Sequence, residues 1–149
     1  WVHIGGGALQ AEMEAYADAT LPGNVSHRFT GYLTNAAVLE HYRQSPVDIF
    51  INVSESEGVP VSIMEAESCG IPVVATAVGG TPEIVSDATG ILLPENPAPW
   101  DIAKAVGRLA ADPDGARAMR SACRENWERN YNANRNYSTF AGDLLTLLR

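Results

Sequence analysis

Ser54-Glu55-Ser56-Glu57-Gly58-Val59-Pro60-Val61-Ser62-Ile63-Met64-Glu65-Ala66-Glu67-Ser68-Cys69-Gly70-Ile71-Pro72-Val73-Val74-Ala75-Thr76-Ala77-Val78-Gly79-Gly80-Thr81-Pro82-Glu83 is the stretch on which the reading of this chain turns. The apolar run before it, Val47 to Val53, reads as a fully buried parallel strand. A turn carries Glu57-Gly58, and Pro60 suits the first turn of a helix, where its missing N–H costs nothing. The helix is expected to stop near Gly70, with Pro72 blocking continuation. Ile71 to Thr76 reads as the next strand, and Gly79-Gly80 opens a turn at its C-terminal end. Strand, helix, strand, with glycine-rich and polar loops after each strand, places a ligand site at the strands' C-terminal ends.

Two carboxylates carry chemistry in this unit. Glu57 precedes the helix and Glu65 lies inside it, with seven residues between them. Pro60 to Glu65 spans about 7.5 Å of helix axis. Val61, Glu65 and Cys69 form one i, i+4 ridge, apolar except for a single carboxylate, and a carboxylate on a packed ridge needs a partner. Glu57 and the exposed N–H groups stand at the positive end of the helix, which suits phosphate. Two readings stand side by side. In one, both glutamates line a ligand site; in the other, Glu57 complements the helix dipole and Glu65 snorkels to solvent.

The residues Glu57-Gly58-Val59-Pro60, Glu65-Ala66, Gly70-Ile71-Pro72-Val73-Val74-Ala75-Thr76 and Gly79-Gly80-Thr81-Pro82-Glu83 resemble the donor-binding signature of the retaining "group 1" glycosyltransferases. The match is ordered and correctly spaced, strongest from Val47 to Pro94 and extending over the whole chain. The resemblance implies the GT-B arrangement of two Rossmann-like domains. It also implies that Glu57 lies against the donor sugar as the catalytic residue, orienting it rather than forming a covalent intermediate. Glu65 would hold the ribose hydroxyls, Gly58, Val59 and Pro60 would shape the phosphate–sugar corner, and Gly79 and Gly80 would approach the donor phosphates with backbone N–H groups.

Composition bounds the partners. The 149 residues suit one domain with a sizeable core. A net charge of −8 argues against nucleic acid and against a strongly basic membrane-binding face. It leaves room for an anionic ligand, because helix N-termini bind phosphate locally. Two distant cysteines, Cys69 and Cys123, form neither a metal-ligand spacing nor a disulfide framework and fit a reducing, cytoplasmic setting. No secretory leader pattern and no apolar run of transmembrane length is read in the chain.

Outward from the organising stretch, Trp1 to Ile4 reads as a buried strand, followed by the Gly5-Gly6-Gly7 turn and a helix from Ala8 to about Ala19. Such a turn either approaches phosphate, which makes Gly7 a candidate donor-binding residue, or simply connects. The third glycine of a dinucleotide fingerprint is absent, with Gln10 in its place. Val25 to Thr30 reads as a strand ending at Gly31-Tyr32. By resemblance the following loop flanks the nucleotide base, so Gly31 and Tyr32 are candidates; the alternative is a turn glycine and a packed tyrosine. His27 shows no chemical partner. Asn35 reads as the N-cap of a helix reaching Gln44.

Further along, Thr81 to Val85 reads as a helical turn, Gly90 to Pro94 as a strand and Pro99 to Ala111 as a helix. Asp112-Pro113-Asp114 mimics an Asp-x-Asp metal signature, but reads better as an N-cap and N1 proline of a helix to about Asn130. Arg117, Arg120, Arg124 and Arg129 read as a solvated face of that helix. Asn132 to Asn136 reads as a loop, and Ser138 as the cap of a last helix to Arg149, whose Leu144, Leu145, Leu147 and Leu148 are either core or a docking face.

The fold expected is α/β, a Rossmann-like open parallel sheet with helices on both faces, as in the C-terminal domain of a GT-B enzyme. Residues 1–149 are expected to be a single nucleotide-sugar-binding domain, lacking its first strand–helix unit and the N-terminal acceptor domain. The function expected is donor binding for retaining transfer of a hexose, in polysaccharide biosynthesis or onto a lipid-linked acceptor, with the fragment alone inactive. A UDP-sugar is the first choice of donor substrate, with no cofactor and no metal. The full-length enzyme is compatible with peripheral membrane association. The alternatives are a non-catalytic nucleotide-binding module and a nucleotide-sugar epimerase on the same architecture.

Overall fold

A computed structural model describes residues 1–147. Two compact units succeed one another along the chain, Trp1–Ser45 and Pro46–Arg149. In the first, β1 (Val2–His3) pairs in parallel with β2 (Arg28–Phe29), and α1 (Gln10–Thr20) and α2 (Asn35–Gln44) follow the two strands. β1 is shorter than the sequence suggests and its residues are exposed rather than buried. Two short paired strands supply little surface to bury a side chain against. Trp1 and His3 pack their rings on Phe29 instead. Asp18 supplies the partner that the sequence does not reveal for His27, with Nε2 and Oδ1 3.2 Å apart. The cap of α2 is Thr34, one residue before Asn35, its hydroxyl accepting from the Ala37 N–H at 3.3 Å.

The second unit holds a three-stranded parallel sheet in the order β3 (Phe50–Asn52), β4 (Val73–Thr76), β5 (Gly90–Leu93). α3 (Val61–Ser68) connects β3 to β4, and α4 (Thr81–Ile84) connects β4 to β5. The period of two along the central strand divides the core. Val73 and Ala75 pack with Ile63, Ile84 and Val85 on one face of the sheet. Val74 packs on the other face with Leu93 and with Ala105 and Leu109 of α5 (Pro99–Ala111). The unit is therefore a parallel sheet covered by helices on both sides, as expected of α/β connectivity. Every residue of β4 is buried. β3 is an edge strand in this sheet, only three residues long, and its Ile51 is 44% exposed, so the run Val47 to Val53 is not a fully buried strand.

α6 (Pro113–Asn130) starts as its sequence predicts, with Asp112 Oδ1 accepting from the Gly115 N–H at 2.9 Å. Its arginines are not a uniformly solvated face. Arg120 donates to the Val47 carbonyl at 2.6 Å and the Gly70 carbonyl at 3.3 Å, and Arg124 donates to the Ser68 carbonyl and lies over the Trp127 ring. They satisfy carbonyls left open at the end of α3 and beside the sheet. α7 (Ala133–Leu147) begins earlier than the sequence suggests. The Asn132 side chain accepts from the Asn134 N–H at 3.1 Å, whereas Ser138 lies inside the helix and donates to the Asn134 carbonyl. Leu144, Leu145 and Leu147 are exposed rather than core, and Leu148 lies outside the described residues.

Candidate functional site

Polar groups of the second unit converge at the C-terminal ends of β3 and β4. Asn52 ends β3, and its side-chain amide donates to Glu57 Oε1 at 3.0 Å. The same side chain accepts from the Ser54 N–H at 3.0 Å through Oδ1. Thr76, the buried last residue of β4, donates its hydroxyl to the Ser54 carbonyl at 2.6 Å. The loop after β3 is thus tied to the ends of two neighbouring strands, and Glu57 stands half-buried at its far side.

Gly79 and Gly80 close the other side of this loop. The Gly80 N–H donates to the Gly58 carbonyl at 2.7 Å. Gly79 has φ +52°, and a Cβ there would meet the Glu57 carbonyl oxygen at 1.9 Å. Both the left-handed backbone and the closeness of the Glu57 carbonyl demand glycine at this position. A Cβ on Gly80 would come within 2.8 Å of the Val59 side chain. Glu57, Gly58, Val59, Gly79 and Gly80, singled out from sequence, therefore form one contiguous pair of loops. Pro60 is buried and is the N-cap of α3 rather than its first residue. Glu65 follows one turn into the helix and is half-buried.

The ridge expected to carry a packed carboxylate is misassigned in the sequence reading. Val61 is 63% exposed, and the buried face of α3 is Ile63, Ala66 and Glu67. Glu67, not Glu65, is the buried acid: it is 0% exposed, accepts from the Asn126 amide at 2.7 Å through Oε2, and among the described residues its Oε1 meets no hydrogen-bond partner. Burial pushes its carboxyl from 4.5 up to about 7, while Asn126 and, after it, Thr89 pull it back. The signal was present in the sequence as the i, i+3, i+4 spacing Ile63–Ala66–Glu67. Asn52 was likewise missed; a polar side chain ending an apolar strand was its signal.

In the first unit, Gly5 donates its N–H to the Gly31 carbonyl at 3.0 Å, and Gly31 takes φ +65°. The Gly7 carbonyl accepts from the Gln10 N–H at 3.1 Å as α1 begins. Tyr32 is 83% exposed, so it is not a packed tyrosine. Gly7, Gly31 and Tyr32 belong to this unit, and the glutamate loop to the other.

The remaining chemistry in the second unit is structural. Cys123 is buried and donates its thiol to the Thr89 carbonyl at 3.2 Å. Burial, and then the charge of Glu67, pushes that thiol up to about 12, which leaves it protonated and non-nucleophilic. Among the described residues, no three His, Cys, Asp or Glu side chains are grouped so as to hold a metal ion. No helix among them is long and apolar enough to cross a membrane.

Compared with known proteins, residues 1–129 match the family model described as "Glycosyl transferases group 1". The chain belongs to the glycosyl transferases group 1 family. A D-inositol 3-phosphate glycosyltransferase of Streptomyces bingchenggensis is 38% identical over 109 residues, covering 68% of this chain and 23% of that protein. A GDP-mannose-dependent alpha-(1-6)-phosphatidylinositol monomannoside mannosyltransferase of Mycolicibacterium smegmatis is 41% identical over 76 residues, covering 48% of this chain and 20% of that protein. Among solved structures, sucrose-phosphate synthase from Thermosynechococcus elongatus superposes with a TM-score of 0.81 at 26% identity, over 99% of this chain and 38% of that one. The group 1 chain thus has the fold of a GT-B glycosyltransferase domain, and it spans less than a quarter of the length of the curated relatives it matches.

Proposed function

We propose that this group 1 chain is the donor-binding domain of a retaining hexosyltransferase that takes a nucleotide-sugar and transfers the hexose to a carbohydrate or lipid-linked acceptor. The observation that carries the reading is the joining of Glu57-Gly58 to Gly79-Gly80 at the C-terminal ends of β3 and β4, where α/β sheets bind ligands. In this reading Glu57 orients the sugar, Glu65 accepts from the ribose hydroxyls, and the backbone N–H groups at the start of α3 and at Gly79 meet the diphosphate, while Gly80, whose N–H is bonded to the Gly58 carbonyl, shapes the turn beside it. The GDP-mannose dependence of the Mycolicibacterium relative supports a nucleotide-sugar as donor class and keeps guanine beside uracil as the base. An acceptor domain and one further strand–helix unit complete the enzyme in this reading. Support for that strand comes from β3, which is an edge strand in its sheet and leaves Ile51 44% exposed.

Calorimetric titration of the chain with UDP, UDP-glucose, GDP and GDP-mannose tests the assignment. Glu65→Ala is expected to weaken even the free diphosphate by about tenfold or more, because hydrogen bonds to a charged group are worth about 1.5–3 kcal/mol each. Glu57→Gln is expected to leave diphosphate binding nearly unchanged and to remove the affinity added by the sugar. Equal losses for both ligands in both folded variants would defeat the division of labour.

A further inference from the structure

Glu57 sits at the end of a loop whose neighbours Glu55, Ser56 and Gly58 are all exposed. A carboxylate in that setting, left to itself, samples several side-chain rotamers. One hydrogen bond acts on the carboxylate directly and two more tie down the loop that carries it, and two of the three belong to Asn52. Its Nδ2 donates to Glu57 Oε1 at 3.0 Å and its Oδ1 accepts from the Ser54 N–H at 3.0 Å; Thr76 adds the bond to the Ser54 carbonyl at 2.6 Å. Asn52 is itself fixed by the sheet, in register with the buried Ala75 of the central strand. The amide therefore links the sheet to the carboxylate through one short side chain.

We infer that Asn52 is a positioning residue: it holds the Glu57 carboxylate in the orientation in which it meets the donor sugar. The inference rests on the donor-site reading. Only an amide serves both contacts at once, because its N–H end faces a carboxylate and its oxygen faces a backbone N–H. Aspartate would keep the Ser54 contact and set a second carboxylate against Glu57. Leucine would fill the space and keep neither contact. The supporting shell of a site sets how tightly a functional group is held, and a loosely held carboxylate contributes less to binding.

The test reads the sugar increment, the ratio of the dissociation constants of UDP and UDP-glucose, and of GDP and GDP-mannose, for the 149-residue chain. Asn52→Leu is expected to cut the increment about five- to twentyfold while the free diphosphate binds as before. Adding Asn52→Leu to Glu57→Gln is expected to change nothing further, since the first residue acts through the second. Asn52→Asp is expected to lose the increment at pH 8 and recover much of it at pH 5, where two adjacent carboxylates share one proton and regain a donor between them. A residue that merely capped the loop through Ser54 would give a wild-type Asn52→Asp at both pH values. That result, or an unchanged increment in a folded Asn52→Leu chain whose Glu57→Gln counterpart loses it, would overturn the inference and leave the donor-site reading standing. An unchanged increment in Glu57→Gln, or no binding of any of the four probes by the folded chain, would overturn both.

Discussion

Glu67 is an acid placed where a hydrocarbon would pack, and its effect on stability has a sign that can be worked out. Its carboxyl titrates at about 7 in the folded chain against 4.5 ordinarily. Between those values the unfolded chain has lost its proton and the folded chain keeps it. Stability therefore falls as pH rises from about 4.5 to about 7, and the full cost, about 3 kcal/mol, is felt above that window. Glu67→Gln carries no such charge. It is expected to be more stable than the parent by about 1–3 kcal/mol at pH 8 and to lose that advantage by pH 5, measured as the difference between urea midpoints at each pH. A constant difference across the range would mean that Glu67 is not the buried acid titrating there. The sequence held the spacing that places Glu67 with Ile63, but spacing alone offered a second face through Val61 and Glu65. Only packing chose between them.

Among the elements, α6 is held to α3 by more than apolar contact. The Arg120 guanidinium reaches the Val47 and Gly70 carbonyls and Asp48, linking the helix to the start of the strand segment and to the end of α3. Gly70 leaves α3 with φ +66°, and a Cβ there would lie 3.1 Å from the Arg120 carbonyl, so the helix terminus and α6 meet backbone to backbone. Asp48 is 92% exposed at its side chain, so the ion pair itself contributes little. The two carbonyl contacts carry the effect. Arg120→Ala is expected to destabilise the chain by about 1.5–3 kcal/mol, and Arg120→Lys to recover less than half of this, because an ammonium cannot span two carbonyls as a planar fork does. Chemical denaturation of both variants checks it; full recovery by lysine would reduce Arg120 to a point charge. Asp112 as a cap and Pro113 as a first residue marked the start of this helix in the sequence, yet its arginines read as a solvated face. Long side chains that cross to another element leave no mark in local spacing.

For the whole molecule, the chain spans 23% of its Streptomyces relative, and the proposed chemistry needs an acceptor held in line with the donor. The 149-residue chain is expected to bind nucleotide-sugar without transferring it, and to do so equally well in the presence of a chelator. A radiolabelled-donor assay over a panel of glycan and lipid-linked acceptors checks the first expectation, and calorimetry with added EDTA the second. Transfer by the purified chain would overturn the division into donor and acceptor domains; loss of binding with EDTA would overturn the assignment of diphosphate recognition to backbone N–H groups.

The sequence by itself determined the α/β class, the order of strands and helices from Phe50 to Asn130, the turn at Gly79-Gly80 and the family. Each of these rests on local signals: an apolar run of strand length, a proline at a helix start, a glycine at a helix end, and motifs with fixed spacing. It left open how deeply each element is buried, because burial depends on what packs over it. β1 and β3 read as interior strands and prove exposed in part, since each is an edge strand within its own sheet. Tertiary structure alone decided that Glu67 rather than Glu65 is the enclosed acid, and that Asn52 reaches Glu57. It also decided that the Glu57 carbonyl leaves no room for a side chain on Gly79. Those outcomes are set by contacts between residues brought together by the sheet and the loops that leave it, and a one-dimensional pattern carries no distance between them.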